Sequence, residues 1–181
     1  LGCIFIKGGM TVLCDWEIRA RAEGSQMVVP FNPELLNPAS LDVVLGDFLM
    51  IETMHQQELL RFDISDKTKD DPYKLLPNHF CLAETCELFN LPDDISAQFV
   101  LKSSRARDGL NHLLAGWCDP GWHGSKLTLE LKNERRHHSL PLYPGMKIGQ
   151  MVFHRMSEVP VHSYAVTGNY NNHATVMPSV A

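Results

Sequence analysis

Apolar residues in this chain come in short runs divided by proline, glycine, asparagine and aspartate. Met27–Val29, Val43–Leu45, Phe48–Met50, Phe80–Leu82, Ala97–Leu101 and Met151–Phe153 are of this kind. Runs so short cannot supply the apolar stripe of a helix, but they match the length of strands. The clearest is Lys126–Lys132, KLTLELK. Leu127, Leu129 and Leu131 fall on one side of an extended chain, and Lys126, Thr128, Glu130 and Lys132 on the other. Many short strands with frequent turns predict a mainly β fold, a barrel or sandwich, with short helices. One helix is expected at Asp15–Glu23, with Asp15 as N-cap and Gly24 as its stop. Asp63–Asp71 is a polar excursion between strands, and Pro141–Gly145 is a tight turn feeding a last strand.

A chain of 181 residues accommodates one core. Residues 10–166 form the expected single domain. Residues 1–9 precede Met10 with a small apolar patch and a Gly-Gly pair, and are expected to be a non-native or disordered extension. Residues 167–181 form an Asn-containing tail with little apolar content, a candidate lid. The formal charge of −5 argues against a nucleic-acid binder. No apolar run approaches membrane-spanning length. Five cysteines without paired spacing read as free thiols in a reducing, cytoplasmic setting.

The chemistry concentrates between Lys102 and Glu130. Ser103 and Ser104 open a short helical turn that Gly109 closes, and a serine-capped helix start offers N–H groups and hydroxyls to a phosphate. Lys102, Arg105 and Arg107 would supply positive charge. Plain capping of a surface turn explains the same residues, and spacing leaves both readings open. Asp119, in Trp117-Cys118-Asp119-Pro120-Gly121-Trp122, can accept a sugar hydroxyl or brace its own turn. Glu130 moves protons if the polar face of its strand lines a pocket, and is an ordinary surface acid otherwise. The zinc route to base deamination needs His-x-Glu and Pro-Cys-x-x-Cys, and neither is present.

Three ordered blocks, Asn37–Gly46, Ser103–Glu130 and Leu140–Phe153, resemble those of the dCTP deaminase family within the dUTPase superfamily. The resemblance implies a distorted dUTPase-like β-barrel, a homotrimer with sites between subunits, and Mg²⁺ carried on the triphosphate, without zinc. It gives Glu130 the part of general base and Ser103 that of its partner. Lys102, Ser104 and Arg107 match triphosphate and site-organising positions, Asp119 the acceptor of the deoxyribose 3′-hydroxyl, and Asp42 an acid that could meet the metal through water. The implied reaction is deamination of dCTP to dUTP and ammonia. Ala115-Gly116-Trp117 resembles the branch that also hydrolyses dUTP to dUMP and pyrophosphate. dTTP is a common inhibitor in that family. The alternatives are a dUTP pyrophosphatase alone and a non-catalytic nucleotide-binding regulatory trimer.

The chain departs from the family in four places. The usual Gly-Arg-Ser-Ser is Leu101-Lys102-Ser103-Ser104 here, which removes a planar fork that lysine cannot reproduce. The stretch between Gly109 and His112 is one residue shorter than usual. One extra residue lies between Gly124 and Glu130, and a bulge or wider turn at Gly124-Ser125 would absorb it and keep Glu130 facing inward. In the tail, Asn169-Tyr170-Asn171-Asn172-His173 stands where Lys-Tyr-x-x-Gln is usual. Tyr170 keeps its place, Tyr164 matches an upstream tyrosine, and His173 replaces the glutamine.

Overall fold

The structure is a computed structural model and describes residues 11–180. The expectation for residues 1–9 lies outside that range. In chain order the elements are β1 (Thr11–Val12), α1 (Asp15–Ser25), β2 (Val28–Val29), a 3₁₀ turn (Pro33–Leu35), β3 (Leu36–Asn37), β4 (Ser40–Thr53) and β5 (Gln56–Asp63). There follow β6 (Tyr73–Leu75), β7 (Phe80–Asn90), β8 (Ile95–Leu101), α2 (Ser103–Asp108), β9 (Leu110–His112) and β10 (Trp117–Cys118). The chain ends with β11 (His123–Asn133), β12 (Leu140–Leu142), β13 (Lys147–Arg155) and α3 (Tyr164–Thr167).

Among the described residues the strands form one curled antiparallel sheet in the order β10-β8-β13-β4-β7-β11-β9, and β12 pairs with β6 apart from it. The mainly β expectation holds. The sheet curls because β4 changes partners midway. Leu41–Val44 pair with β13, and Leu45–Ile51 pair with β7. The sequence reads Gly46-Asp47 as a break between two apolar runs, yet one strand crosses it. Gly46 permits the bend because a Cβ there would come within 2.7 Å of the Glu84 side chain. Leu41, Leu45 and Leu49 from β4 meet Phe89, Ile95, Leu129, Met151 and Phe153 in a fully buried core.

Helix α1 differs from expectation at both ends. Cys14, not Asp15, is the N-cap residue, and the Glu17 carboxylate reaches back to accept its N–H at 3.1 Å. That bond, outweighing burial, holds the Glu17 carboxyl below its ordinary value. The helix runs through Gly24 and stops at Gln26, which takes the left-handed conformation. Ile18 and Ala22, one turn apart, are its buried face. Among the described residues no helix is long and apolar enough to cross a membrane. Cys14, Cys81, Cys86 and Cys118 are all unpaired.

Candidate functional site

Strand β11 builds the site. Ser125, Leu127, Leu129 and Leu131 point into the core, which leaves Lys126, Thr128 and Glu130 half-buried on the opposite face. The register shifts twice. His123 pairs with Asn90 and Ser125 with Phe89, so β11 takes two steps against one on β7; Lys126 then pairs with Leu88 and Thr128 with Glu84, so β7 takes four steps against two on β11. Gly124 is the extra residue, at φ +65, and its N–H donates to Asn90 Oδ1 at 2.9 Å. The insertion is therefore absorbed where the sequence required it, and Glu130 faces inward.

That face floors a cavity of about 640 Å³, a volume typical of small-molecule sites. Leu82 and Phe80 of β7 and Leu59 of β5 form one wall. Ala115, Trp117, Asp119 and Trp122 form another, and Tyr164, Tyr170, His173 and Met177–Ser179 lie across the top. Seven of the residues singled out from sequence thus converge: Ala115, Trp117, Asp119, Glu130, Tyr164, Tyr170 and His173. Burial pushes the Tyr164 phenol up, and the nearby Asp119 charge adds to it.

Glu130 has a partner that sequence reasoning missed. His112, on β9 beside β11, is buried, and its Nε2 lies 3.2 Å from Glu130 Oε2. The Phe99 ring packs 4.7 Å from the imidazole. Both contacting atoms are buried and neither makes a hydrogen bond among the described residues. The HLLAG run held no histidine signal beyond a lone residue on a short strand.

Glu84 is the second surprise. Wholly buried on β7, it takes the Lys126 ammonium at 2.6 Å on one oxygen. Thr175 Oγ1 and the Val176 N–H donate to the other, at 2.9 and 2.8 Å. The tail is laced to β11 further along. Lys126 N–H donates to the His173 carbonyl, His173 N–H to Ser125 Oγ, and Met177 N–H to Thr128 Oγ1. Tyr170 is fixed through its carbonyl, which accepts from Trp122 Nε1 at 2.9 Å and Ser125 Oγ at 2.7 Å.

Lys102, Ser103, Ser104 and Arg107 do not join this cavity within one protomer. The N-cap of α2 is Lys102 rather than a serine, and Ser103, Ser104 and Arg107 are exposed. The Lys102 ammonium lies 2.8 Å from both oxygens of buried Asp42. Lys147 Nζ is 3.2 Å from that carboxylate, and Asn37 donates to it at 2.9 Å. Burial alone would raise Asp42, but these bonds hold its carboxyl below the ordinary value. Its oxygens are thus committed to two lysines and an amide, which does not suit an acid awaiting a metal. Among the described residues no three His, Cys, Asp or Glu side chains are grouped to hold a metal ion.

A family model for dCTP deaminase-like proteins matches residues 12–156, and the chain belongs to that family. It is 39% identical over 167 residues to the dUMP-forming dCTP deaminase of Acidothermus cellulolyticus, covering 84% of each chain. With the dUMP-forming dCTP deaminase of Methanoregula boonei it shares 39% identity over 151 residues, 79% of this chain and 81% of the other. Its fold is similar to that of the 2′-deoxycytidine 5′-triphosphate deaminase of Agrobacterium tumefaciens, with a TM-score of 0.65 at 21% identity. That match covers 81% of this chain and 48% of the other.

Proposed function

We propose that this chain deaminates dCTP and hydrolyses the resulting dUTP to dUMP and pyrophosphate. The observation that carries the reading is the half-buried Glu130 carboxylate, which lines the cavity beside Asp119 and the two tyrosines, with one oxygen 3.2 Å from His112. Relatives named as dUMP-forming dCTP deaminases, at 39% identity across most of the chain, support both steps.

Glu130 acts as general base toward a water set against C4 of the cytosine ring. As the water oxygen bonds to C4, Glu130 takes its proton, and the C4–N3 π electrons move onto N3, which receives that proton from the carboxyl. The regenerated carboxylate then takes the proton of the new C4 hydroxyl and delivers it to the amino nitrogen of the tetrahedral adduct. The C4–N bond breaks, ammonia leaves, and the uracil carbonyl remains, with Glu130 ionised as at the start. His112 orients the carboxylate, and Asp119 accepts a hydroxyl of the sugar. Tyr164, Tyr170 and His173 close over the nucleotide and exclude bulk water.

The triphosphate needs cations that this cavity does not offer freely, because Lys126 is already paired with Glu84. In the proposed homotrimer, Ser103, Ser104 and Arg107 of a neighbouring copy supply the phosphate grip, with Lys102 braced by Asp42. Mg²⁺ would be held by the triphosphate oxygens rather than by protein side chains, and would supply charge neutralisation there.

Incubation with dCTP and Mg²⁺, following ammonia, dUTP, dUMP and pyrophosphate together, tests the reading. Ammonia with dUMP and pyrophosphate is expected, and Glu130→Gln should lower ammonia release by at least about a hundredfold. Full activity in that variant removes Glu130 from the mechanism. Accumulating dUTP removes the second step.

A further inference from the structure

Trp117 stands at the mouth of the cavity with half of its surface exposed, and two contacts fix its ring. One face lies against the His154 imidazole, with centroids 5.9 Å apart and planes 29° from parallel. The indole Nε1–H donates to Asp119 Oδ1 at 3.0 Å. The two residues stand either side of buried Cys118, two apart on an edge strand and its continuation, so their side chains leave on the same side. The Trp122 N–H donates to the Asp119 carbonyl at 3.2 Å and closes the turn behind them.

Asp119 is exposed, and among the described residues its carboxylate has no hydrogen-bond donor other than Trp117. An exposed aspartate free of such a bond samples several staggered rotamers. A charge-assisted bond to one oxygen selects a single rotamer and leaves the other oxygen as an acceptor at the cavity wall. An ionised carboxylate accepts only, so it selects for a hydroxyl. In a deoxynucleoside triphosphate the sugar has one free hydroxyl, at the 3′ carbon.

We propose that Trp117 is a positioning residue whose indole N–H sets the Asp119 carboxylate to read the 3′-hydroxyl of the bound nucleotide. The inference rests on the reading that a deoxynucleotide occupies this cavity. It assigns to the indole nitrogen a role that a stacking ring alone cannot fill.

Trp117→Phe keeps a ring on His154 and removes only the N–H. The probes are dCTP and 2′,3′-dideoxycytidine triphosphate, which lacks the hydroxyl. Binding of each is measured by calorimetry in a Glu130→Gln background, where the ligand stays intact. Trp117→Phe is expected to weaken dCTP about tenfold while leaving the dideoxy compound unchanged. In turnover the loss should fall mainly on KM, with kcat retained. In an Asp119→Asn background the same substitution should add nothing. Equal weakening of both nucleotides means a packing role and overturns the proposal, as does an unchanged preference. If the unaltered chain releases no ammonia from dCTP, the deaminase reading fails while the binding ratio still decides Trp117. If neither nucleotide binds, both fail.

Discussion

Glu87 shows how much one side chain can shape the behaviour of this fold. Its carboxylate is buried on β7, and the Val44 N–H donates to it, at 3.1 and 3.3 Å to its two oxygens. Burial pushes it up from 4.5 to about 7, against a partial pull from the backbone N–H groups of Glu87 and Val44 and from Lys126. In the unfolded chain the same group ionises near 4.5, so between those values the folded state holds a proton that the unfolded state has lost. Stability from Glu87 is therefore complete below about pH 4.5 and is lost as pH rises to about 7, on the order of 3 kcal/mol in all. Glu87→Gln keeps the shape and removes the titration. Thermal melts from pH 5 to 8 should show a falling midpoint in the parent and a flatter one in the variant, and parallel curves would reject the assignment. Asp42 works in the opposite sense. Its carboxyl is held low by Lys102, Asn37 and Lys147, so its contribution is present above the ordinary aspartate range and is lost on acidification. Glu87 did not announce itself in the sequence, and Asp42 did so only through the family resemblance, because burial is set by the strands that cross above it.

At the level of elements, strand β11 was legible and the tail was not. The Lys126–Lys132 alternation fixed which side chains face the core, because a half-buried strand repeats every two residues. The bulge that keeps Glu130 inward was foreseen from one extra residue next to a glycine. Strand β5 went unseen, since Gln56–Asp63 is largely exposed and shows no apolar alternation. The tail read as polar and poor in apolar residues, yet Val176 is buried and Asn171 bonds to β11 and α3. Its order comes from hydrogen bonds to partners distant in sequence, which composition does not reveal. Gly124 joins these two elements. A Cβ there would lie 2.5 Å from Asn172 Oδ1 and 3.2 Å from its Cα, at a φ that side chains rarely adopt. Gly124→Ala should cost about 1–3 kcal/mol, a drop of roughly 2–12 °C in Tm. Amide exchange in residues 170–177 should speed up more than in the core of β11. Tail amides as slow as those of β11 in the variant would show that Gly124 does not anchor the tail.

The whole molecule divides its chemistry between two surfaces. One protomer gathers Glu130, Asp119, the tyrosines and His173 around a cavity, and carries Ser103, Ser104 and Arg107 on a short helix, exposed and outside its lining. Exposed apolar residues accompany that helix, Val100 just before it and Leu113 and Leu114 just after β9, as expected of a surface that meets another chain. Sequence could name both sets but not their distance, because a residue's place in a motif does not say which copy completes the site. On the proposed reading each site takes its base from one copy and its phosphate grip from the next. Glu130→Gln and Arg107→Ala should then each be nearly inactive alone. When the two are unfolded together and reassembled in equal amounts, about a quarter of the sites combine an intact Glu130 with an intact Arg107 from the neighbour. Activity should return to about a quarter of the parent level and appear only after subunit exchange. If both residues served the same copy's cavity, no mixed assembly would contain an intact site, and the mixture would stay as inactive as its parts.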